Sequence, residues 1–158
     1  MFRCLDECYK DLYGTVPFTE KMQKSILQQF SLFLSTEYLA AVCDENEEVV
    51  AFGVCLPGLG EAMQKSGGRL TLPCIFRLLK ALKNPRSIDF ALVGIMPKYR
   101  NTGLSVFMMT VLQDILDHHT VEYLETNLNL EDNVAIRSTW KRFDHVQHKR
   151  RRSYKKQL

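Results

Sequence analysis

The chain has 158 residues, 46% of them hydrophobic and 25% charged, with a formal net charge of +3. That suits one domain with one core; the apolar runs are broken by charge short of a membrane span, and the N-terminus lacks a signal peptide's basic-then-apolar layout, which predicts a cytoplasmic protein with no membrane partner. Five cysteines (Cys4, Cys8, Cys43, Cys55 and Cys74) stand at no disulfide or zinc spacing and read as reduced core residues, and no ligand set accompanies His118-His119, His145 or His148, so no metal site is predicted.

Helical patterns open the chain at residues 2–12 and 19–33, the second started by Thr19 after Pro17 and carrying Met22, Ile26, Leu27 and Phe30 on one face. Both are expected to pack on a sheet. Residues 38–43 and 48–56 flank the acidic turn Asp44-Glu45-Asn46-Glu47 and read as an antiparallel hairpin, with Gly53 marking a bulge. A short helix near 59–65, a Gly67-Gly68 break and a cationic amphipathic helix from Pro73 to Leu82 follow, the last read as a surface helix lying over the core, with membrane contact the lesser reading. Next come a buried strand over 87–96, a helix over 103–117, a strand over 121–129, a helix from the N-cap Asn133 to about Arg142, and a final strand over 145–156.

The densest information lies between the 87–96 strand and the 103–117 helix. Pro97 ends the strand, and Gly103 lets the backbone turn sharply into a helix whose first amides stay uncovered. Because the macrodipole favours an anion there, the run Arg100-Asn101-Thr102-Gly103-Leu104-Ser105 is a candidate pyrophosphate site.

The order apolar strand, proline, Tyr-Arg, Arg-x-x-Gly-x-Ser resembles the acyl-CoA loop of the GNAT superfamily of N-acyltransferases, with Ser105 where the family usually has glycine or alanine. The hairpin at 41–54 is similar to that family's second and third strands, and Leu130-Glu131-Asp132-Asn133-Val134-Ala135-Ile136 to the entry of its fourth helix. The resemblance spans nearly the whole chain. It implies an α/β (α+β) domain over 1–158 with a mixed, mostly antiparallel sheet flanked by helices. It also implies a co-substrate, acetyl-CoA or another acyl-CoA, and an acceptor that is a small-molecule or peptide amine. By the same likeness Val93, Gly94 and Ile95 lend free backbone groups to the pantetheine arm where their strand parts from the next, and the amide of Ile95 or Met96 polarises the thioester. Arg100 to Ser105 hold the phosphates, and Asn133 belongs to the cofactor site.

Three departures stand out. The family's first strand is missing, so the chain reads as part of a longer protein or as a homo-oligomer whose other part covers the edge of the 38–43 strand. A helical insertion occupies about 58–86, and the family's tyrosine acid and Gly-Phe pair are absent from Trp140-Lys141-Arg142-Phe143-Asp144. These departures leave open a catalytically silent acyl-CoA-binding module.

Alternation along 121–129 puts Tyr123, Glu125, Asn127 and Asn129 on one face. Glu125 is the first candidate for the base that deprotonates the amine, with Glu131 and Asp89 behind it; the competing reading of Glu125 is a structural ion pair. From Lys141 to Lys156 eight basic residues face one acid, Asp144. Such a run binds phosphates in general, but the alternation from Val146 to Tyr154 reads as a terminal strand, so nucleic acid is the lesser reading.

Overall fold

The acidic turn closes as a hairpin because its first residue organises it: the Asp44 carboxylate accepts from the N–H of Asn46 at 3.0 Å and of Glu48 at 3.1 Å. In the computed structural model, which describes residues 1–31, 35–117 and 121–156, this turn joins β1 (Leu39–Cys43) to β2 (Val49–Pro57). His118 and His119 lie outside the described residues. β2 pairs antiparallel with β3 (Ser87–Ile95), and β3 pairs parallel with β4 (Tyr123–Thr126), giving a sheet of order β1-β2-β3-β4 with β1 at one edge.

Helices cover both faces of this sheet. α1 (Phe2–Tyr9) lays Cys4 and Leu5 against Phe52 and Val54, the buried cluster of that face. On the opposite face α5 (Leu104–Asp117) buries Met108 and Leu112 above Gly53, Cys55, Phe90 and Val93. Gly53 is therefore not a bulge. A Cβ there would meet Met108 Cε at 3.0 Å, so the glycine lets α5 approach. The register shifts instead between Val42 and Cys43, and at Ala91, which has no partner between Val54–Leu92 and Cys55–Phe90.

α2 (Glu20–Phe30) starts on the predicted cap, Thr19, whose hydroxyl accepts from Met22 N–H at 3.4 Å. It buries none of its residues, contrary to the expectation that it packs on the sheet; Met22, Leu27 and Phe30 stay exposed. α3 (Gly60–Gln64) and α4 (Leu72–Lys83) pack against each other, with Thr71 capping α4 and Cys74 fully buried.

The chain divides into two compact units, Met1–Asn127 and Leu128–Leu158. The second holds α6 (Val134–Trp140), capped as predicted by Asn133, whose side-chain oxygen accepts from Ile136 N–H at 3.3 Å. The predicted strand over 145–156 is absent: residues 144–156 carry no regular structure and are all exposed. The physical reason is in the pattern itself. Its candidate inner face, Val146, His148, Arg150, Arg152 and Tyr154, has apolar groups only at its ends, and burying the cations between them costs more than two side chains return.

Candidate active site

The turn from β3 to α5 is built by short local bonds. Pro97–Tyr99 form one 3-10 turn, the Thr102 hydroxyl donates to the Tyr99 carbonyl at 2.7 Å, and the Gly103 carbonyl accepts from the N–H of Val106 at 2.9 Å and Phe107 at 3.2 Å. Gly103 takes φ +81, and a Cβ there would meet nothing within 4 Å. Among the described residues the N–H groups of Gly103, Leu104 and Ser105 have no acceptor, as the first turn of a helix requires. Asn101, Thr102 and Ser105 are exposed beside them, and the Arg100 guanidinium donates back to the Ile95 carbonyl at 3.4 Å.

Next to this turn lies a cleft of about 380 Å³ lined by Val42, Cys43, Asp44, Tyr99, Gly103 and Phe107, among others. The backbone N–H of Glu48 leads the bonds that hold the Asp44 carboxyl below its usual range. An ionised carboxylate repels phosphate. The uncovered first-turn amides are therefore a better candidate for an anion than the cleft.

β3 and β4 stay together only from Ser87–Tyr123 to Phe90–Thr126. Asn127 makes the last links, its N–H to the Phe90 carbonyl and its side-chain amide to the Ala91 carbonyl, both at 3.3 Å. Beyond Ala91 the strands part, as expected. Met96 N–H donates to the Val50 carbonyl at 2.9 Å, which fixes the parity: Gly94 and Met96 turn their polar backbone groups to β2, while Val93 and Ile95 turn theirs into the gap. Two expectations are corrected by that parity. Gly94 offers the gap no backbone group, and Met96 has no free amide for a thioester. Gly94 instead makes room, since a Cβ there would meet Phe52 Cε1 at 2.5 Å and Cys8 Sγ at 3.0 Å.

The gap already holds a side chain that sequence reasoning missed. The Tyr9 hydroxyl donates to the Val93 carbonyl at 2.8 Å and accepts from Val93 N–H at 3.3 Å. Burial pushes the Tyr9 phenol up, so it is neutral and able to do both. The available signal was a tyrosine at i+4 from Leu5 on the apolar face of α1, because a phenol directed into a core needs a partner for its hydroxyl. Cys8 beside it is pushed up to about 12, chiefly by burial, and Cys4 is also raised by burial, the two sulfurs lying 3.9 Å apart.

Neither a protein-family model nor a curated protein matches the chain. Solved structures do. A possible acetyltransferase from Clostridium difficile 630 superposes with a TM-score of 0.62 at 9% identity, over 99% of this chain and 89% of that one. The GCN5-related N-acetyltransferase from Sphaerobacter thermophilus gives 0.56 at 12% identity over 89% of this chain and 38% of that one. The aminoglycoside acetyltransferase AAC(6')-Iy, in complex with a CoA bisubstrate analogue, gives 0.54 at 11% identity over 99% and 92%. The chain has the GNAT fold.

Within the GNAT frame β3 and β4 are the parallel pair whose separation opens the gap. Glu125 stands in register with Asp89, so the first and the weaker candidate bases are neighbours on adjacent strands, both half-buried. Ile95 lies six residues further along β3, about 20 Å at the rise of a strand. Glu125 and the Ile95 amide therefore do not serve the same carbonyl carbon. Asn133 and Glu131 belong to the second unit, where Asn133 caps α6 and the Glu131 carboxylate lies 4.0 Å from the Arg150 guanidinium.

Proposed function

We propose that this chain is a cytoplasmic N-acyltransferase that moves an acetyl or other acyl group from CoA to a small-molecule or peptide amine. One observation carries the reading: β4 leaves β3 after Ala91, so Val93 and Ile95 turn their backbone groups into a gap on the strand that leads, through one short turn, to a helix start whose amides are uncovered. The pyrophosphate sits on the amides of Gly103, Leu104 and Ser105, with Arg100, Asn101 and Thr102 around it. The pantetheine arm runs back along β3 past Ile95 and Val93, which leads the acyl end toward the Ala91 bulge, one strand away from Glu125. There the ammonium of the acceptor loses one proton to Glu125, directly or through water, the neutral amine attacks the thioester carbon, and the C–S bond breaks, the sulfur leaving as the thiol with the second proton of the amine. The AAC(6')-Iy neighbour, solved with a CoA bisubstrate analogue, supports the choice of co-substrate and of an amine acceptor.

The absence of a tyrosine acid from Trp140-Lys141-Arg142-Phe143-Asp144 favours a second reading, a catalytically silent acyl-CoA-binding module. Calorimetric titration with acetyl-CoA, followed by thiol release over a broad amine panel that includes aminoglycosides, separates the two. Binding with transfer supports the enzyme, and binding without transfer to any amine supports the module. No binding sinks both.

A further inference from the structure

The insertion between β2 and β3 contains a helix that is apolar on two sides. The inner side of α4 carries Cys74, Leu78, Ala81 and Leu82, all buried or half-buried. On the outer side Leu72 is 75% exposed, Phe76 71% and Leu79 57%, and Leu70 just ahead of the helix is 72% exposed. At about 100° per residue, Leu72, Phe76, Leu79 and Lys83 fall within roughly 60° of one another, so this is one continuous ridge. The expectation of a helix lying over the core accounts for the inner side only.

Charge around the ridge has a single sign. No acidic residue occurs between Glu61 and Asp89, while Lys65, Arg69, Arg77, Lys80, Lys83 and Arg86 fall in that stretch. Lys65 and Arg86 pair with Glu61, and Arg77 donates to the Ser66 hydroxyl at 2.9 Å. Arg69, Lys80 and Lys83 make no ion pair among the described residues and border the exposed leucines and Phe76.

We propose that α4 docks on an anionic lipid surface, lying in its plane with Leu70, Leu72, Phe76 and Leu79 among the acyl chains and Arg69, Lys80 and Lys83 at the phosphates. Lysine in line with the ridge decides against a protein partner, since the buried centre of a protein interface is depleted in lysine, whereas at a bilayer its long stem lies along the apolar layer and its ammonium reaches the headgroups. A monotopic arrangement also agrees with α4's length: among the described residues no helix is long and apolar enough to cross a membrane. The proposal does not depend on catalysis.

The test is flotation of the full chain with vesicles of phosphatidylcholine alone or mixed equally with phosphatidylglycerol. Binding to the mixed vesicles only, weakened by salt, is expected. Phe76→Ser with Leu79→Ser should weaken it at least about tenfold with an unchanged thermal midpoint, because both side chains are already in solvent. Lys80→Glu with Lys83→Glu should weaken it similarly. A third variant with Lys149, Arg150, Arg151 and Arg152 changed to Gln should keep most of the binding. Absence of binding by the folded parent overturns the proposal, as does binding that follows the C-terminal cations and ignores Phe76 and Leu79. A parent that self-associates through Phe76 and ignores vesicles shows a protein interface instead.

Discussion

Tyr9→Phe tests where the pantetheine arm lies, because it removes one oxygen and leaves the ring in place. That oxygen satisfies both the N–H and the C=O of Val93, at 3.3 and 2.8 Å. A buried polar group left without a partner costs about 1 to 3 kcal/mol, so the variant should be destabilised by about that amount. For a chain of this size the thermal midpoint should fall roughly 2 to 4 °C for each kcal/mol. The effect on the ligand has the opposite sign. If the arm takes over the Val93 groups, the parent must first break the Tyr9 bonds and the variant need not, so CoA should bind up to about 5- to 150-fold more tightly, the same free energy seen from the bound state. Thermal unfolding and calorimetric titration of the same preparations measure the two sides. A destabilised variant whose CoA affinity is unchanged or weaker would refute the placement of the arm on Val93, whatever the site's other residues do.

Gly103→Val should lower acetyl-CoA affinity at least about tenfold in a folded protein, since φ +81 disfavours a β-branched residue and relieving that strain shifts the first-turn amides; unchanged affinity places the phosphates elsewhere. Glu125→Gln should keep CoA affinity and lower turnover about a hundredfold, read from thiol release, and equal turnover removes Glu125 from the chemistry. Alkylation at pH 8 followed by peptide mapping should modify exposed Cys43 well before Cys8 and Cys55: burial pushes both of these to about 12, so their thiols remain protonated far above the pH of the assay. Sedimentation at increasing concentration should show self-association through the edge of β1, which pairs with no other strand than β2 among the described residues; a stable monomer together with sequence-selective DNA binding at physiological salt would promote the nucleic-acid reading.

Local chemistry is what the sequence by itself determined. Thr19 and Asn133 cap the helices they were expected to cap, Asp44 organises the hairpin, and Gly103 occupies the left-handed turn ahead of α5, because each acts through bonds to residues within a few positions of its own. The alternation over 145–156 misled for the same reason: a period of two says nothing about whether a neighbouring strand or a buried face exists to receive it. Everything that depends on distant segments was decided only by the tertiary structure. Gly53 reads in the sequence as a bulge and Gly94 as a source of free backbone groups, yet one admits Met108 from α5 and the other Phe52 and Cys8, residues that lie far outside any local window. Ala91 became the bulge because β2 and β3 are registered from both ends at once, and that single extra residue sets which backbone groups of Val93 and Ile95 face the gap. Tyr9 reaches Val93 for a related reason: α1 packs across β3, and a hydroxyl's partner is chosen by the packing of helix on sheet, which no pattern within α1 or β3 contains.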